Sequence, residues 1–148
     1  MKKKLLLLFL AVFSLGFVYG QKCETSFTSH KTGSQVSGWP VTMSGKAVNV
    51  PATGHVWILV ESESFRGWYP QGNGECVLTN SEWVCDVHLG NGKQTGFYKI
   101  SIAVVGDKAN QALNNWVKKA EDTGAYPTIP FPDVLDGCSI TTIRVEKR

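Results

Sequence analysis

The apolar positions fall into three kinds of run. Leu5 to Phe13 is unbroken, and Leu15, Phe17 and Val18 prolong it beyond Ser14, with Lys2, Lys3 and Lys4 in front and Gly20 behind. A basic start, a short apolar centre and a small residue at the end predict a secretory leader cleaved after Gly20, because the run is too short for a comfortable membrane span. The exported chain then begins at Gln21. The second kind alternates or closes into β-branched stretches: Val41–Val50, His55–Val60, Phe65–Tyr69, Glu75–Leu78, Trp83–Leu89, Phe97–Val105 and Ser139–Val145. Each is bounded by Gly, Pro, Asn or Ser, the punctuation of strands joined by turns. His55–Val60 is apolar after its first residue and predicts a central strand buried on both faces. In Val41–Val50, Val41, Met43, Val48 and Val50 are expected inward, with a bulge at Ser44-Gly45 restoring the phase.

The third kind has a period near 3.6. Ala109, Ala112, Leu113, Trp116, Val117 and Ala120 share one face of a helix predicted over Asp107–Ala120, with Asp107 as N-cap and Gly124 as its stop. Tyr126–Pro132 contains three prolines and predicts an extended surface crossover, since proline has no N–H for a ladder. Residues 21–40 are rich in Ser, Thr, Gly and Lys and show little periodicity, so a loose arm is expected before a domain over 41–148. The expected fold is all-β with one helix, an antiparallel β-sandwich of immunoglobulin-like type.

Charge and cysteine content narrow the setting. The chain has 15 Lys plus Arg against 12 Asp plus Glu, and the three leader lysines account for the excess. Residues 21–148 are therefore neutral overall, with no basic cluster for nucleic acid and no second apolar segment for membrane insertion after leader cleavage. Cys23, Cys76, Cys85 and Cys138 are four in an exported chain and predict two disulfides. Pairing Leu78 with Trp83 across a turn at Thr79–Glu82 sets Cys76 opposite Cys85, which leaves Cys23 for Cys138. Lipidation of Cys23 is disfavoured by Lys22 before it, and the histidines lack zinc-ligand spacing from the cysteines, so no cofactor or metal is expected.

Three segments, Ser44–Pro51, Val56–Val60 and Trp68–Gly72, are followed by Trp83, Leu89-Gly90, Gly96-Phe97 and Ile100–Val105. Together they resemble small β-sandwich modules of exported and membrane-anchored bacterial proteins, over residues 41–145. The resemblance implies fold and compartment and supplies no catalytic residues.

Candidate chemistry is sparse. His30, His55 and His88 are scattered, and Asp133 and Asp136 flank Val134-Leu135 beside the proline-rich segment. Gly72-Asn73-Gly74 and Gly90-Asn91-Gly92 lack the helix and lysine of a phosphate loop and read as turns. Aromatic residues carry the remaining signal: Phe65, Trp68 and Tyr69 stand beside a Gly-rich loop, and Trp39-Pro40 is expected near the same edge. Exposed rings grip sugars or peptide surfaces. The expected function is a secreted or periplasmic, non-enzymatic binding module for a protein or glycan ligand. The alternatives are a small hydrolase using His55, Asp133 and Asp136, or a secreted inhibitor that presents a loop.

Overall fold

The computed structural model describes residues 21–64 and 66–148; the expected leader lies outside them. The described chain is mostly β with one helix, two sheets and two disulfides. Strands β1 (Glu24–Phe27), β3 (Val41–Val48), β7 (Glu82–Val87) and β6 (Val77–Thr79) form a four-stranded sheet in the order β1-β3-β7-β6. Strands β2 (Gln35–Val36), β9 (Thr141–Lys147), β8 (Gly96–Val105), β4 (His55–Ser62) and β5 (Tyr69–Pro70) form a five-stranded sheet in that order. Every pairing is antiparallel except β2 with β9.

One apolar cluster lies between the sheets. Met43, Trp83 and Val87 come from the first, and Ile58, Val60, Ile100, Ile102 and Val145 from the second. A second cluster lies on the other face of the larger sheet, where Trp57, Leu59 and Val105 meet Leu113 and Val117 of helix α1 (Asp107–Thr123). Alternate residues of β4 thus point into two different cores, which is why Val56–Val60 reads as an unbroken apolar run and is buried at all five positions. Each fully buried Ile or Leu contributes roughly 1.5–3 kcal/mol.

Five expectations change. The strand expected over Phe65–Tyr69 gives way to β5, which starts at Tyr69 and takes in Pro70, with bends at 66–67 before it. Residues 21–40 are not a loose arm throughout: β1 pairs with β3, and Cys23 bonds Cys138. The Thr25 hydroxyl, buried, donates to Thr141 Oγ1 at 3.0 Å. Cys23, Thr25 and Phe27 do alternate inward, but two of the three are not strongly apolar, so the period was masked. No bulge interrupts β3, which pairs in register with β7 from Val41 to Lys46, and Ala47 takes the inward place instead of Val48. Gly45 serves a close approach: a β-carbon there would lie 2.5 Å from Cζ2 of Trp83 and would also strike the Ser26 carbonyl. The indole of Trp83 covers this glycine and meets Phe27 edge to face at 5.2 Å. Asp107 is the first helical residue and not the cap; Gly106 holds that place with no side-chain cap. The crossover over 126–132 is only partly at the surface, for Ile129 and Phe131 are half-buried against the second cluster.

Gly124 ends α1 in the left-handed region, as its position predicts. Both disulfides join the expected partners, with Cα separations of 5.2 Å for Cys76–Cys85 and 4.3 Å for Cys23–Cys138. The hairpin register Leu78 with Trp83 is the expected one. Among the described residues no helix is long and apolar enough to cross a membrane.

Candidate functional site

Strand β5 is only two residues long, and a cleft of about 640 Å³ opens around it. Trp39 and His88, from the ends of β3 and β7, line it together with Tyr69 of β5 and Tyr98 of β8. Trp116 and Glu121 of α1 and Tyr126 beyond the helix complete the ring of side chains that matter here. All three layers meet at this cleft.

Trp39 is held although it is 52 % exposed. Its Nε1–H donates to the Gly90 carbonyl at 3.0 Å, and its ring meets His88 edge to face at 4.8 Å. The turn beneath is stiff, since the Asn91 carboxamide oxygen accepts from the N–H groups of both Lys93 and Gln94 at 3.2 Å. Only glycine fits at position 90, where φ is +65° and a β-carbon would lie 2.7 Å from the Tyr98 hydroxyl. A large exposed ring fixed in this way loses little conformational entropy on meeting a ligand.

Buried Gln71 joins the sheets beside the cleft. It accepts from the His88 N–H at 2.7 Å and donates to the Tyr69 carbonyl at 3.2 Å. On the helix side, Trp116 Nε1–H donates to the Pro127 carbonyl at 3.0 Å, and its ring meets Tyr126 at 6.1 Å. Tyr126 is 57 % exposed. Burial raises the pKa of the Tyr98 phenol, so it remains a neutral hydroxyl at physiological pH. Among the described residues, Glu121 is the only carboxylate in the lining, and neither Lys nor Arg lines it.

Tyr69 and Trp39 therefore come together as the sequence suggests, but Trp68 does not join them. Its ring packs edge to face on Phe131 at 4.9 Å, and its backbone exchanges hydrogen bonds with Ile129. Successive residues of an extended chain point to opposite faces, so Trp68 joins the second core while Tyr69 lines the cleft. Phe65 lies outside the described residues. Tyr98, Trp116 and Tyr126 were missed, because strand and helix patterns assign the first two to the core; the flanking Pro127 was the one local sign that Tyr126 is displayed.

The residues considered for hydrolysis are arranged differently. His55 Nδ1 meets Glu75 at 2.6 Å and Nε2 meets Asp107 at 2.9 Å. The Asp107 hydrogen bond, with help from Glu75, raises the His55 pKa against the opposing effect of burial. With a carboxylate against each nitrogen, the protonated, doubly donating form of the ring is favoured, and both nitrogens are already engaged by Glu75 and Asp107. Asp133 and Asp136 line a second cleft, of about 740 Å³, at the start of α1. They share it with Asp107 and not with His55. Among the described residues no three His, Cys, Asp or Glu side chains are grouped to hold a metal ion.

No protein-family model matches the chain, and no curated protein matches it.

Proposed function

We propose that this chain is an exported binding module, secreted or periplasmic, built as an immunoglobulin-like β-sandwich that seats a protein or glycan ligand on the rings of the β5 cleft. The observation that carries this reading is Trp39, half-exposed yet fixed by Gly90 and His88 in a cleft that also displays Tyr126. A cleft of this volume lies within the usual range for ligand sites, and rings with reachable faces supply stacking area at low entropic cost. The shared core between two largely antiparallel sheets supports the sandwich; the parallel β2–β9 pair is an addition to it. Export rests on the sequence of the leader and on the pairing of all four cysteines.

Titrating the protein with oligosaccharides and peptides, while following tryptophan fluorescence and indole N–H resonances, tests the reading. Trp39→Ala and Tyr126→Ala should each weaken the ligand found by about tenfold, roughly 1.4 kcal/mol, with little change in Tm, because both rings are largely outside the core. Unchanged affinity in both variants would remove the cleft from the binding event.

A further inference from the structure

Among the described residues, the formal charge that lines the β5 cleft is one-sided. Glu121 lines it, and the last turn of α1 carries Glu121 and Asp122 with no basic residue. A helix C-terminus is itself equivalent to about half a negative charge. Five aromatic side chains of the Trp and Tyr type line the same cleft, namely Trp39, Tyr69, Tyr98, Trp116 and Tyr126. The face of each such ring is the negative end of a quadrupole. Lys93, Lys118 and Lys119 stand nearby but do not line the cleft, and the buried Lys147 ammonium behind it is engaged by the Leu89 carbonyl at 2.7 Å. Among the described lining residues an anionic ligand would find no Lys or Arg, whereas a cation would be favoured by the ring faces, by Glu121 and by the helix end.

We infer that the cleft seats an organic ammonium group, held by the faces of Trp39, Trp116 and the neighbouring tyrosines and balanced by the Glu121 carboxylate. The inference rests on the cleft being the ligand site and adds the class of group that enters it. Rings favour an alkylated ammonium over a compact metal ion, because a diffuse, weakly hydrated cation costs less to desolvate. The group comes either from a small choline-type molecule or from a methylated lysine side chain, and the shared chemistry is the alkylated cation on an alkyl stem.

The test uses residues 21–148 with both disulfides formed, and three probes. Choline is compared with its neutral carbon isostere, in which a tert-butyl group replaces trimethylammonium, and with a trimethyl-lysine peptide. Choline or the peptide should shift the Trp39 and Trp116 indole resonances and bind at least about tenfold more tightly than the isostere, a preference of about 1.4 kcal/mol. Whichever of the two binds more tightly identifies the source. Glu121→Gln should reduce the preference several-fold while leaving binding of the isostere unchanged; Glu121 is exposed, so the variant should fold. Equal affinity for choline and isostere overturns the inference and leaves a cleft that reads apolar shape. Binding of neutral oligosaccharides with no response to either cation also overturns it while sparing the binding module. Silence toward all probes, oligosaccharides and peptides included, defeats both readings.

Discussion

Asn110 shows how much one side chain decides. Trp57 is completely buried, and its indole N–H needs an acceptor where the sheet meets the helix. The Asn110 carboxamide oxygen supplies it at 2.8 Å and is steadied by Asn114 at 3.1 Å. Asn110→Ala should cost about 1–3 kcal/mol, since it strands a buried donor, whereas Asn114→Ala should cost much less. Urea unfolding of the two variants checks this, and equal midpoints would mean that the indole finds another partner. His55 makes a pH-dependent contribution of known sign. Its folded pKa is raised above 6.5, so the folded protein holds that proton more tightly than the unfolded chain. The stabilisation is complete below pH 6.5 and is lost as pH rises through the raised value. Glu75 and Asp107 are 49 % and 73 % exposed, so solvent screening limits the contribution to under about 1 kcal/mol. The stability difference between the protein and His55→Gln should therefore shrink as pH rises above 6.5; a difference that grows would reverse the assignment.

Helix α1 is an element that depends on its docking face. It has no side-chain N-cap, and its buried positions are Leu113, Val117 and Ala120. Leu113→Ala should cost about 2–5 kcal/mol by leaving a cavity over Trp57 and Leu59. Trp116→Ala should cost less than the roughly 3–5 kcal/mol of a fully buried aromatic, because its half-buried ring borders both clefts. A Leu113 variant within about 1 kcal/mol of the parent in urea would show that the helix is only loosely docked. Elements with a strong period were legible in the sequence: the β4 run, the β6–β7 hairpin with its disulfide, and the helix with its stop at Gly124. Those whose inward positions are polar or small were not. Thr25 in β1 and Ala47 in β3 fill core sites that hydrophobic patterning does not mark, and Gly45 signalled a bulge when it was clearing space for Trp83. The cleft was legible only at Trp39 and Tyr69. Tyr98, Trp116 and Tyr126 reach it from a strand, a helix and a crossover, and no local period links such residues.

At the scale of the molecule, the two disulfides differ in what they restrain. Cys76–Cys85 closes a separation of 9 residues within one hairpin, while Cys23–Cys138 closes 115 and ties the first strand to the segment before the last. On chain-entropy grounds the short link contributes about 2.7 kcal/mol and the long one about 4.8. Together these approach the whole stability of an ordinary domain, about 5–15 kcal/mol, so the chain is matched to an oxidising compartment and poorly matched to a reducing one. Replacing Cys23 and Cys138 with alanine should lower the urea midpoint more than replacing Cys76 and Cys85, although the second pair is the more buried at its two ends. The larger effect should reside in β1, which would lose its covalent anchor and keep its pairing with β3, the Thr25 hydrogen bonds, the Ser139 bond to the Cys23 carbonyl and the packing of Phe27 on Trp83. Amide exchange provides the separate readout: protection at Thr25 and Phe27 should fall before protection in β4 or β8. Uniform loss across both sheets would show that the long disulfide restrains the whole fold, and no loss would show that β1 holds by its hydrogen bonds and packing without the disulfide.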